Sequence, residues 1–286
     1  MDVFTLYAGQ GDLAAVRAGD ESIIVDAHMP DTEHVTQEQI EQSLYAYLGN
    51  TITRGLILTG LDMDHACPAG VKSILTHRTP DWILYPTYFK DSDTASEVFN
   101  IIEKEVTRRA RTSRPLERKS VRVDKVESRF LTGLANKFMF ELFSPHMEDM
   151  NSSNNSSIVL KLTGLDSTGF SYLITGDTET ERWERINAIF GASLKSDVMS
   201  AAHHGSKSGV HAGTFLSVSA DTVLISAGVD NQYGHPDAVA VQACRRTSRK
   251  VYATNVPPNG VCLFTRRAGE QFETHLVRHF ERANAA

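Results

Sequence analysis

The sequence predicts a layered α/β protein, and three observations carry that expectation. Short apolar, strand-like runs alternate with segments of helical periodicity through both halves of the chain. The composition is ordinary for a globular chain, 41% hydrophobic and 22% charged over 286 residues, which is long enough to bury a sizeable core. Carboxylates and imidazoles recur where the predicted strands end, the place where loops of such folds carry polar groups. No tandem repeat, low-complexity tract or Pro/Ser-rich linker divides the chain, so residues 1–286 are expected to form one domain.

Residues 3–6 and 13–16 read as a hairpin around Ala8-Gly9-Gln10-Gly11-Asp12, whose glycines suit a tight turn. Residues 22–26 are a short apolar run between Ala18-Gly19-Asp20 and a loop containing Pro30, the pattern of a buried strand. Over 36–48 the spacing of Ile40, Leu44 and Leu48 predicts a helix, with Thr36 and Gln39 set as a capping box. Strands at 55–58 and 82–85 flank a helix over 69–75. A helix at 95–109 leads through a polar, basic connection to a strand at 137–143. Beyond the loop 151–156, strands at 158–162 and 172–175 join through a turn with Gly164 and Gly169, and 179–190 is helical. Strands follow at 198–201, 222–226 and 251–253, with a helix at 238–244 between the last two. A strand pair, 261–265 and 271–276, follows Asn259-Gly260.

Composition excludes several functions. The longest apolar stretches, such as 56–58 and 223–225, fall far short of the ~20 residues a membrane-spanning helix needs, so no membrane partner is expected. The start has neither a basic n-region nor a long apolar h-region, so a signal peptide is not expected. Cys67, Cys244 and Cys262 lack metal-type spacing, and a scattered, odd count points to a reducing cytoplasm rather than a disulfide framework. A net charge of −6 leaves no overall basic excess to hold phosphate backbones. The one local candidate is Arg108, Arg109, Arg111, Arg114, Arg118, Lys119, Arg122 and Lys125, which outnumber Glu117 and Asp124. No aromatic residue is interleaved there to stack bases, and the segment reads equally as a solvated helix end plus a loop.

The chemistry gathers at strand ends. Asp62, Asp64 and His65 follow the strand at 55–58; Asp177 ends another, and His203 and His204 end a third. His235 lies in the loop after the strand at 222–226. Charges at a core strand's end must be solvated, paired or metal-bound. Asp and neutral His together suit zinc or manganese. Two such ions ~3.5 to 4 Å apart share a hydroxide and clamp an in-line displacement at phosphorus.

Ala8-Gly9-Gln10-Gly11-Asp12, Ile24-Val25-Asp26, Asp62-Met63-Asp64-His65, Asn154-Asn155-Ser156-Ser157, Thr175-Gly176-Asp177, His203-His204-Gly205-Ser206 and Tyr233-Gly234-His235-Pro236 occur in the order seen in metallo-β-lactamase-fold hydrolases. The chain most resembles the soluble domain of the ComEC competence proteins. That resemblance implies a four-layer αβ/βα sandwich with two divalent ions, zinc or manganese, at one edge between the sheets. It implies Asp62, Asp64 and His65 as ligands from the first half, Asp177 as the bridging ligand, and one of His203 and His204 from the second half. His235 would hold a phosphate oxygen or protonate a leaving group. Asn154 and Asn155 fall where related families place another histidine, for which an amide oxygen is a poorer ligand.

Two departures stand together. The family begins its motif with histidine two residues before the first aspartate, where this chain has Gly60. After Val25-Asp26 it has a small residue and glycine, where this chain has Ala27-His28. Either His28 replaces the imidazole lost at Gly60, or it is a loop residue and the centre is one ligand short. Cys67 is expected to be a small buried hydrophobe. His146 and His211 are the other imidazoles placed to approach the site; His34, His77, His275 and His279 have no matching context. The implied function is a metal-dependent hydrolase, a phosphodiesterase or nuclease attacking with a metal-bridging hydroxide, with Asp64 and His235 in catalysis and a phosphodiester or nucleic acid as substrate. The alternatives are a hydrolase of carbon esters, thioesters or lactams, and a binding or regulatory module with a degenerate site.

Overall fold

The computed structural model describes residues 1–88, 90–149, 152–167 and 169–279. The first sheet is built from β1 (Asp2–Thr5), β2 (Ala14–Ala18), β3 (Glu21–Val25), β4 (Ile52–Ile57), β5 (Trp82–Pro86) and β6 (Glu117–Val121), joined late in the chain by β14 (Cys262–Ala268) and β15 (Gln271–Val277). Its strand order is β15-β14-β1-β2-β3-β4-β5-β6, antiparallel as far as β3 and parallel from there to β6. The second sheet runs β13 (Lys250–Ala253), β12 (Thr222–Ile225), β11 (Val198–Ser200), β10 (Ser171–Ile174), β9 (Val159–Gly164), β8 (Phe138–Ser144) and β7 (Phe130–Leu131).

Alternation along the strands makes the layers. Ile23, Val25 and Ile57 join the core that also holds Leu160, Leu173 and Val223 of the second sheet. Ile24, Leu56 and Leu58 point the other way, into a core shared with Ile40, Leu44, Val71, Ile74, Val98 and Ile102. Those last six lie on α1 (Gln37–Leu48), α2 (Pro68–His77) and α3 (Asp93–Arg109). Trp183, Ile186, Phe215, Val218 and Cys244 bring α4 (Thr180–Phe190), α5 (Ala212–Val218) and α6 (Ala238–Thr247) onto the second sheet. The expected four-layer αβ/βα sandwich is the observed one. The capping box at Thr36 and Gln39 is present in both directions.

The basic connection differs from its expectation. It contains β6, an edge strand with mainly exposed side chains, so it lacks the apolar signature of a buried strand. Its cations are also largely neutralised. Arg108 pairs with Glu105, Arg114 with Asp81, Arg118 with Glu103, Lys119 with Glu117 and Arg122 with Asp124. Arg109 is buried and donates to the carbonyls of Pro80 and Arg114. Of the loop expected at 151–156, Asn151 lies outside the described residues, and Asn154–Ser156 forms a 3-10 turn. No helix among the described residues is long and apolar enough to cross a membrane.

Candidate metal centre

The candidate centre sits where β1, β3, β4, β10 and β11 deliver their loops to one edge between the sheets. Asp26 leaves β3 in the left-handed region, φ 58°, and His203 and His204 beyond β11 do the same at 52° and 54°. Such backbone costs a β-carbon residue about 1–2 kcal/mol and persists where surrounding bonds over-determine it. Here they do: the N–H of Asp26 donates to Ile57 O at 2.7 Å and that of His203 to Gly176 O at 3.0 Å. Gly11 is required by crowding, since a Cβ there would lie 2.2 Å from the His28 ring and 2.7 Å from the Asp64 carbonyl. Gly70 lets α2 pack behind the centre, because a Cβ would meet the Ala27 carbonyl oxygen at 1.9 Å.

Asp12, His65, Asp177 and His204 converge, each with a ligating atom within 4.8 Å of the others. Asp26 is buried behind them. Its carboxylate accepts from Thr59 N at 2.6 Å, Thr59 Oγ1 at 2.7 Å and His65 Nδ1 at 3.0 Å. His204 Nδ1 donates to Ser226 O at 3.1 Å, and His28 Nδ1 to Met63 O at 3.0 Å. In all three rings the partner holds a proton on Nδ1, so Nε2 is the atom left to serve a metal, once it has given up its own proton where the ring is charged.

His65 Nε2 stands 3.0 Å from Asp177 Oδ1, and beyond this ion pair neither buried atom has a hydrogen-bond partner among the described residues. His204 stacks on His65 with ring centroids 5.6 Å apart, its Nε2 3.7 Å from the same Asp177 oxygen and 3.4 Å from Asp64 Oδ2. Buried polar atoms are almost always satisfied, so an imidazole nitrogen and a carboxylate oxygen aimed at one spot fit a shared cation. The electrostatics agree. Burial acts to lower the His65 pKa, but Asp177 and Asp26 outweigh it and hold the imidazole well above its usual value. For His204 burial is likewise outweighed, by Asp12, Asp177 and Asp64, and the value rises to about 9. Burial raises Asp12 to about 6 against the pull of both rings. Burial also works to raise Asp177, yet His65 and His204 hold it below the usual carboxylate range. Four carboxylates thus compete for positive charge that a divalent ion supplies in place of two protons.

Asp177 and His204 of the group line an open cleft of about 500 Å³. His28, Asp64, His203 and His235 line it, and among the described lining residues none is Lys or Arg. His28 is 8% exposed, and burial lowers its pKa to about 4, so the ring is neutral. A Cβ at Gly60 would make ordinary van der Waals contact with the His65 ring at 3.6 Å, so a side chain there would start beside the centre. Asp62 reaches the cleft, but its carboxylate is engaged by Lys90 and Ser153. Of the histidine pair, His204 joins the converging group, while His203 turns to Ser208 Oγ at 3.1 Å and Glu179 Oε1 at 3.6 Å. Asn154 and Asn155 bind Glu179 through side chain and backbone. His146 packs on Phe190 and His211 accepts from Thr214 N at the start of α5; neither lines the cleft. Cys67 is buried ahead of α2.

Asp12 and Asp26, which stand in the sequence motifs without an expected role, belong to the centre. The available signal was an acid directly after a Gly-rich turn and another at a buried strand's end.

A mixed two-sheet sandwich with an Asp/His centre at the edge between sheets is the metallo-β-lactamase fold. Igni18, a metallo hydrolase from the archaeon Ignicoccus hospitalis, shares it at a TM-score of 0.51 and 13% identity, covering 94% of this chain and 100% of that one. No protein-family model matches the chain. By sequence it is similar to ComE operon protein 3 of Bacillus subtilis, 28% identical over 200 residues, 70% of this chain and 23% of that protein. It is also similar to Competence protein ComA of Neisseria gonorrhoeae, 30% identical over 118 residues, 41% of this chain and 16% of that protein. The matched part is thus less than a quarter of either relative's length. The chain is a metallo-β-lactamase-fold protein that resembles the ComEC-type competence proteins.

Proposed function

We propose that this chain is a divalent-metal-dependent hydrolase of phosphodiesters, with nuclease activity as its form. The observation that carries the metal is the convergence of Asp12, His65, Asp177 and His204, in which the buried His65 Nε2 and Asp177 Oδ1 stand 3.0 Å apart. Asp12, His65, Asp177 and His204 would hold the first ion. Asp64, Asp177 and His28 would serve a second, His28 standing in for the imidazole absent at Gly60. Mixed carboxylate and imidazole donors suit zinc or manganese. When bound, the ions supply positive charge that polarises a phosphoryl oxygen and acidifies water.

The chain's own residues divide the remaining work. Asp26 and the Ser226 carbonyl keep His65 and His204 in the Nδ1–H tautomer. His235 is held the opposite way. Gln10 Oε1 accepts from Gly228 N at 3.0 Å, which orients the amide so that its Nε2 donates to His235 Nδ1 at 3.4 Å. The His235 proton then sits on Nε2, where it can bond a phosphate oxygen or be given to a leaving oxygen. Nucleic acid as substrate is supported by the likeness to a protein named for competence. The paired cations of residues 108–125 lend it no support.

The test is metal content by mass spectrometry after reconstitution, together with cleavage of single-stranded DNA, RNA, simple phosphodiesters, thioesters and lactams. Two equivalents of zinc or manganese, reduced in His28→Ala and lost with activity in Asp177→Ala, are expected. Unchanged stoichiometry in His28→Ala removes that ligand. Cleavage confined to carbon esters or lactams removes the phosphodiester, and no bound metal at all makes the chain a binding module.

A further inference from the structure

Tyr233 is a large aromatic residue left 62% exposed on the wall of the metal cleft. Its position is built rather than loose. Asn231 Oδ1 accepts from the N–H groups of Tyr233 at 3.2 Å and His235 at 3.0 Å, while Asn231 Nδ2 donates to the carbonyls of Gly228 at 2.8 Å and His235 at 2.6 Å. Asp230 and Gly234 take left-handed backbone to either side. So held, the Tyr233 ring lies on the His235 ring, centroids 5.7 Å apart and planes 24° from parallel. One ring face is occupied by the imidazole, and the other faces solvent. Met63, 49% exposed, is the other large apolar side chain among the described residues lining the cleft.

We infer that the outer face of Tyr233 is a stacking platform for a base on the leaving-group side of the scissile bond, which makes the substrate class an unpaired nucleoside phosphodiester. The inference rests on the hydrolase reading through the role of His235. A group that receives the His235 proton lies against that ring, and Tyr233 is the next planar surface along. No Lys or Arg is among the described lining residues, and Lys90 is engaged by Asp62, so stacking is the contact the wall offers. A base can use it only when unstacked, so a single strand fits and a duplex does not.

The experiment compares a single-stranded oligodeoxynucleotide with an abasic strand of equal length, with manganese, for the natural chain, Tyr233→Ala and Tyr233→Phe. KM is read from cleavage, and Kd from fluorescence anisotropy under the same conditions. The natural chain is expected to prefer the base-bearing strand by about tenfold or more, the scale of one base stacked on one ring. That ratio should fall to near one in Tyr233→Ala and persist in Tyr233→Phe, which keeps the ring. A ratio unchanged in the alanine variant, or lost equally in the phenylalanine variant, overturns the inference; the second result would assign the effect to the hydroxyl. If the natural chain cleaves neither strand, the hydrolase reading fails, and the anisotropy ratios still decide the platform.

Discussion

Removing Asp177 should erase the coupling between divalent metal and stability. Anything that binds only the folded chain adds RT ln(1 + [L]/Kd), about 2.7 kcal/mol when free ligand is a hundredfold above Kd. Unfolding entropy near 2.1 cal/mol/K per residue amounts to roughly 0.6 kcal/mol/K for a chain of 286 residues. Each saturated ion therefore raises the melting temperature by about 4–5 °C, and two independent ions by about 8–9 °C. Asp177 is the carboxylate that both His65 and His204 face, so Asp177→Ala should lose most of the shift from either ion. Asp20→Ala, at an exposed position, should keep it. The assay is differential scanning calorimetry of chelator-treated protein with and without zinc or manganese, with free metal set from a calorimetric titration. Equal shifts in the Asp177 variant and the natural chain would place the ions elsewhere and refute the assignment.

Two further outcomes follow from the same geometry. Asp26→Asn keeps an acceptor for Thr59 but removes the charge behind His65, so metal affinity should fall about ten- to a hundredfold; competition with a chelator measures it, and unchanged affinity would deny Asp26 its orienting part. In metal-free protein the folded His204 pKa of about 9 stands above its unfolded value near 6.5. The stability it contributes is full below pH 6.5 and drains away as pH climbs through 9, so the melting temperature should decline over that window. Excess zinc should remove the decline, since a liganded imidazole has already given up its Nε2 proton; a metal-free melting temperature that rises instead would contradict the assigned ion pairs.

Much of the architecture could be read from local pattern. The unbroken apolar run Ile23, Ile24 and Val25 announces a strand buried on both faces, and both faces are buried. The helix at Ile40, Leu44 and Leu48 carries its cap in its own sequence. β6 stayed hidden because an edge strand with solvated side chains has no apolar period to display. Asp62 and Asp64 look alike in the sequence. Asp62 is engaged by Lys90 and Ser153, and Asp64 approaches His204, contacts that span 28, 91 and 140 residues of chain.

By itself the sequence determined most of the order of strands and helices, β6, β7 and α5 excepted, and the strand-end positions of the acids and imidazoles, because both follow from periodicities a few residues long. Only the tertiary structure decided that Asp12 joins His65, Asp177 and His204, and that His204 rather than His203 turns inward. It also decided which nitrogen of each ring carries the proton. Those outcomes depend on backbone folded into the left-handed region and on acceptors such as Asp26, Ser226 and Met63 arriving from other strands and loops. A convergence of buried charge is a property of several distant segments at once, and no single window of the chain contains it.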